Sequence, residues 1–146
     1  IYISAFDWMV DKTPPPAGLG WLVIISYFIG IVLEIGRKIR APDYEITGVA
    51  TYSSAWGIRI SSITWLGALC LALLAALPLA YRISFLVPMA VVVSSVMATG
   101  IWVVFGFLEK PKLESAKWIE HASAAAILVL YLGIGPLAIL FQLIVT

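Results

Sequence analysis

The segment Glu34-Ile-Gly-Arg37-Lys38-Ile-Arg40-Ala-Pro42-Asp43-Tyr44-Glu45-Ile-Thr-Gly48-Val-Ala-Thr51-Tyr52-Ser-Ser-Ala-Trp56-Gly57 interrupts an otherwise greasy chain. Its first twelve residues hold three acids (Glu34, Asp43, Glu45) and three bases (Arg37, Lys38, Arg40), from a total of eight acids and nine bases in 146 residues. The chain is 62% hydrophobic and 12% charged, with a mean hydropathy of +1.06. A soluble domain carries about 25% charged residues. The balance therefore predicts an integral membrane protein, in which the polar segment joins two spans and holds the chemistry.

Upstream, Leu19 to Leu33 is an apolar run that needs part of the Glu34 turn to reach the roughly 20 residues of a membrane helix. Before it, Asp11 to Gly20 contains three consecutive prolines, which remove backbone donors and predict a turn. Ile1 to Val10 reads as the end of an earlier span, and no signal peptide is visible. The chain is thus expected to be the C-terminal part of a longer membrane protein, with the N-terminal half of that parent as a partner.

Downstream, Ile60 to Ala80, Phe85 to Leu108 and Ala122 to Thr146 predict three further spans. A turn at Tyr81 to Ser84 separates the first two, and a charged loop at Glu109 to His121 the last two. Pro136 takes the usual hydrogen-bond partner from the Leu132 carbonyl and predicts a kink. Long unbroken apolar runs lack the alternation of a lipid-facing strand. The expected fold class is all-α: a polytopic transmembrane helical bundle of about four complete spans plus the end of a preceding one, forming one domain over residues 1–146.

Basic residues accumulate in cytoplasmic loops. Arg37, Lys38, Arg40, Arg59, Lys110, Lys112 and Lys117 fall on one side, against Lys12 and Arg82 on the other. This places segments 34–59 and 109–121 in the cytoplasm, with a bacterial inner (cell) membrane as the expected location. The bases are explained by orientation, so nucleic acid is not an expected partner. Cys70 has no second cysteine to pair with and reads as a packing residue.

Residues four apart share a helix face, so Ser26, Gly30, Glu34 and Lys38 form one stripe. Small residues favour close helix approach, which predicts that Glu34 opens into the bundle. Glu34 can equally pair with Arg37 or Lys38 on its own helix. Mixed acids and bases at the rim of an apolar bundle suit an amphipathic diphosphate: carboxylates hold Mg²⁺ through oxygen, and bases hold phosphate.

At Asp43 to Gly57 (DYEITGVATYSSAWG), preceded by EIGRKIRAP, the chain resembles the second acidic motif region of the UbiA family of intramembrane prenyltransferases. The resemblance continues through the three following spans. It implies transfer of a prenyl group from an allylic (poly)prenyl diphosphate to a lipophilic or aromatic acceptor, with Mg²⁺-assisted loss of pyrophosphate. By position it implies Glu34, Asp43 and Glu45 as metal-binding residues, and Arg37, Lys38 and Arg40 as diphosphate contacts. Tyr52 and Trp56 would line the substrate cavity. Tyr44 stands where the family motif has an acid, and the family's first acidic motif lies outside this chain.

Two rival classes accompany that expectation. One is a degenerate protein that binds isoprenoid or anionic membrane lipid without turnover. The other is a transporter or scaffold subunit, in which Glu34 and its bases form an internal ion-pair network.

Overall fold

The computed structural model describes residues 14–45 and 48–145. The expectation for Ile1 to Val10 lies outside them. Four helices are long and apolar enough to cross a membrane, and no strand occurs among the described residues. The chain is an all-helical, polytopic bundle.

Helix α1 spans Leu19–Arg37. It follows the non-helical Pro14 to Gly18 stretch, and Gly18 takes φ 116°. A side chain there would be strained by that angle, and its Cβ would meet Leu79 Cδ1 at 2.8 Å. At 1.5 Å per residue, α1 is about 28 Å long, only just a membrane thickness. In a bilayer its last turn, with Glu34 and Arg37, would lie at the boundary, where a cation also suits the helix dipole.

Helix α2 spans Tyr52–Arg82 and is the most buried of the four. Thr51 caps it: its hydroxyl accepts from the Ser54 N–H at 3.1 Å, and the Ser54 hydroxyl accepts from the Thr51 N–H at 3.2 Å. Gly57, at φ 81° and ψ 158°, breaks the helix after one turn. The membrane-crossing part therefore starts after Gly57, close to the expected Ile60. Its buried face is rich in alanine: Ala68, Ala72, Ala75, Ala76 and Ala80 recur at helical spacing. Lipid offers little hydrophobic drive for helix pairing, so such small residues act by letting backbones approach.

Ile83, Ser84 (φ 53°) and Phe85 turn the chain into α3, Leu86–Glu109. Lys110 to Lys112 turn it again into α4, Leu113–Leu132. Here the expected loop from Glu109 to His121 is corrected. Helix begins at Leu113, because Ala116, Ile119 and Ser123 bury one face while Glu114, Lys117, Glu120 and His121 remain exposed on the other. An amphipathic first two turns read as loop when only the charges were weighed. The expected kink is a π-helical stretch, Gly133–Leu137, around Pro136, and α5 (Ala138–Val145) follows it. Gln142 Nε2 donates to the Ile83 carbonyl at 2.8 Å, and Phe141 meets Phe85 edge-on with centroids 5.3 Å apart. The chain end is thus pinned to the α2–α3 turn.

The Tyr52 N–H donates to the Lys38 carbonyl at 3.2 Å, which fixes the end of α1 beside the start of α2. With two three-residue turns following, neighbouring helices alternate in direction. Helix α1 packs on α2, α2 on α3, α3 on α4, and α4 back on α1. One hydrogen bond crosses the ring from α2 to α4: Trp65 Nε1 donates to Ser123 Oγ at 2.9 Å, and both side chains are fully buried. Gly36 provides the room, since a Cβ there would fall 2.1 Å from Ser123 Oγ.

Within the described helices the Glu34 stripe meets a neighbour at Ser26, whose hydroxyl lies 2.8 Å from that of Tyr131. Ser26, Gly30 and Lys38 are exposed in this chain and Glu34 is only half-buried, whereas Ile25, Ile29, Val32, Ile35 and Gly36 face the neighbours. The small residue that permits close approach is Gly36, and nothing lies within 4 Å of a Cβ built on Gly30.

Candidate functional site: a charged shelf at one end of the bundle

Residues 37–45 and 48–56 form a shelf docked on the end of α1 and α2. Ile39 and Ala41 are buried and anchor it. The Arg40 N–H donates to Ser53 Oγ at 2.7 Å, while Ser53 itself is buried. Pro42–Tyr44 then makes one turn of 3₁₀ helix, closed by the Tyr44 N–H on the Ala41 carbonyl at 2.9 Å. The Thr51 hydroxyl donates to Glu45 Oε2 at 2.6 Å. The capping residue of α2 thereby also holds the far end of the loop.

The three basic residues hang from this braced backbone. Arg37 and Lys38 are exposed and Arg40 is half-buried. Lys38 Nζ pairs with Glu34 Oε1 at 2.5 Å, the ion pair found among the described residues. Its hydrogen bond to Glu34, and then the carboxylate's charge, hold the Lys38 ammonium above its ordinary pKa. Lys38 also lies over the Tyr52 ring, 5.8 Å from the centroid. Tyr52 in turn packs on Trp56 with centroids 4.7 Å apart. One row, Glu34, Lys38, Tyr52 and Trp56, thus ties the shelf to the first turn of α2.

The three acids singled out from the sequence are placed differently from one another. Glu34 is engaged by Lys38, and Asp43 is exposed on the 3₁₀ turn. Glu45 uses one oxygen for Thr51, while its Oε1 is buried without a hydrogen-bond partner. Among the described residues, no group of three His, Cys, Asp or Glu side chains is positioned to hold a metal ion. These acids do not by themselves form a Mg²⁺ cage; Glu45 Oε1 is the one buried acidic oxygen left over.

Tyr52 and Trp56 do not line the apolar groove between α2, α3 and α4. That groove, about 320 Å³, is walled by Trp65, Leu69, Val92, Val96, Gly100 and Ala126. The hydroxyls of Ser94, Ser95 and Thr99 donate to carbonyls of their own helix, which satisfies them in an apolar setting. Ser53, the residue that holds the shelf, was missed from sequence. A serine two residues after a capping threonine gives no local sign of a partner thirteen residues upstream.

No protein-family model matches the chain, and no curated protein or solved structure matches it significantly.

Proposed function

We propose that the chain is the C-terminal part of a UbiA-like intramembrane prenyltransferase, with the charged shelf as the binding surface for an allylic diphosphate. The observation that carries this reading is the placement of Arg37, Lys38 and Arg40 on a backbone braced by Ser53 and Thr51, at the mouth of an apolar helical bundle. A prenyl diphosphate has the same division, an anionic head on a hydrocarbon tail. Arg and Lys suit the head because charge-assisted hydrogen bonds to phosphate are the strong ones.

In this reading the cations bind and orient the diphosphate and stabilise negative charge as the allylic carbon–oxygen bond breaks. The bonding pair leaves with pyrophosphate. The allylic carbon then takes an electron pair from a lipophilic or aromatic acceptor, which loses a proton. Apolar helix surfaces keep water from the allylic cation. Mg²⁺ would arrive on the oxygens of the diphosphate itself, as part of the substrate. Segments 34–59 and 109–121 would face the cytoplasm of a bacterial cell, and further helices of a parent protein would complete the cavity.

The Glu34–Lys38 pair favours a second reading, a non-catalytic isoprenoid-binding or scaffold subunit in which shelf charges neutralise one another. Membranes containing the complete gene product, given radiolabelled allylic diphosphate with and without Mg²⁺, separate the two. Transfer that falls in an Arg37→Gln, Lys38→Gln, Arg40→Gln triple variant supports the enzyme. Diphosphate binding without transfer to any lipid or aromatic acceptor supports the binding protein, and absence of both supports the scaffold.

A further inference from the structure

A second polar feature lies on the shelf's side of the bundle but belongs to other helices. Between the end of α3 and the start of α4 is a recess of about 310 Å³, lined by Trp102, Lys110, Lys112, Glu114, Ser115 and Trp118 among others. We propose that it binds the headgroup of an anionic phospholipid, with the lysines on the phosphate and the tryptophans against the upper acyl chain. The site is independent of the prenyl-transfer reading and requires only that the helices span a membrane.

The two lysines sit on a hydrogen-bonded turn. The turn that carries them is rigid: Pro111 fixes its centre, and the Lys112 N–H donates to the Lys110 carbonyl at 2.8 Å. The Ser115 hydroxyl accepts from the Lys112 N–H at 3.0 Å and donates back to the Lys110 carbonyl at 2.7 Å. Both lysines are exposed, and neither is ion-paired among the described residues. Glu114 opposes an anion, but it sits in the first turn of α4, where the helix dipole stabilises an acid. The lining still carries two cations against one anion.

An aromatic pair lines the same recess. Trp102 is 71% exposed and Trp118 59%, one on each helix wall of the recess. Two indoles beside two ammonium groups at the end of membrane-crossing helices match the depth profile of a phospholipid. Tryptophan belongs at the interface and lysine outside it, and basic pockets between such helices suit anionic headgroups. A soluble anion would leave both indole faces without a partner.

The test uses the full chain in nanodiscs of mixed phosphatidylglycerol and phosphatidylcholine, released into detergent and weighed by native mass spectrometry. One phosphatidylglycerol retained in preference to phosphatidylcholine is expected. Lys110→Gln and Lys112→Gln should each weaken retention about five-fold, and roughly 30-fold together. Lys117→Gln, outside the recess, should not. Retention by the unaltered chain should also fall in 0.5 M salt (roughly a 4 Å Debye length), a reading that needs no variant. Trp102→Ala with Trp118→Ala should lower retention without changing charge. Equal retention of both lipids, or retention indifferent to the lysines and to salt, would overturn the proposal. So would displacement of the lipid by an equal concentration of glycerol 3-phosphate, which would assign the recess to a soluble phosphate.

Discussion

The Trp65 indole donates to the Ser123 hydroxyl at 2.9 Å, and Gly36 on a third helix lies so close that a methyl group there would overlap that oxygen. Ser123 Oγ lies 2.8 Å from the Ile119 carbonyl and 3.3 Å from the Val32 carbonyl of α1. Helices α1, α2 and α4 therefore meet at one polar point inside an apolar bundle. Interhelical hydrogen bonds in membranes contribute about 0.6 kcal/mol on average. The position matters more than that figure, because backbone, indole and hydroxyl leave each other no spare volume.

Gly36→Ala should accordingly cost about 1–3 kcal/mol, the range for overpacking a filled core, since neither the α1 backbone nor the indole can retreat. Gly30→Ala, six residues earlier on the same helix, meets nothing within 4 Å and should be neutral or stabilising, as alanine is the better helix former. Unfolding of both variants in mixed micelles, followed by Trp emission, checks the contrast. Equal losses would place the close contact elsewhere.

The shelf depends on two hydroxyls. Thr51→Ala removes the α2 cap and the donor to Glu45, and should cost about 0.5–2 kcal/mol. Ser53→Ala leaves the Arg40 N–H without its acceptor, at about 1 kcal/mol, the low end of the range because the donor is only part-buried. Either change should open Arg37 to Tyr44 to trypsin while cleavage at Arg82 stays constant. Unchanged cleavage in both would mean that burial of Ile39 and Ala41 holds the segment by itself.

Glu34→Gln gives opposite results under the two roles open to Glu34. If Glu34 holds a metal, the change weakens diphosphate binding. If its function is to occupy Lys38, as the ion pair indicates, the change frees a cation and strengthens binding. Equilibrium binding of a fluorescent prenyl diphosphate reads the sign, and strengthening is expected. Bundle stability should hardly move, because the pair is exposed to solvent and such pairs contribute little.

Gln142→Leu should loosen the α2–α3 turn. The Ile83 carbonyl would lose the donor that α5 brings to it, at about 0.5–1.5 kcal/mol. Hydrogen exchange at residues 83–86 should speed up while exchange in mid-α2 stays slow. If the turn is unaffected, the Phe85–Phe141 ring contact holds α5 without help.

The spans were legible because their signal is cumulative: eighteen or more apolar residues in a row have few other uses. Turns were legible where proline marked them, as at Pro14 to Pro16, whereas the charges after Glu109 overstated a turn confined to Lys110 to Lys112. The facing of α1 was not. In a helix apolar on every side, Ile25 and Ile29 differ little in chemistry from Ile24 and Ile31, so Ser26 and Gly30 drew attention that belonged to Gly36. The alanine row on α2 was a readable sign of close packing, masked by the general apolarity of the span. At the shelf, sequence reading picked out the charged residues, while the hydroxyls that position them needed the fold. The Ser53 to Arg40 bond depends on two helix ends meeting, and local spacing carries no trace of it.

The lock at Ser123 also orders events during synthesis. Ser123 emerges from the ribosome 91 residues after Val32 and 58 after Trp65. Helices α1 and α2 thus enter the bilayer and dock their shelf while the notch at Gly36 stands open. Until α4 is inserted, the Trp65 N–H has no Ser123 to bind in hydrocarbon. The contact that joins α1, α2 and α4 is therefore the last of this set to form.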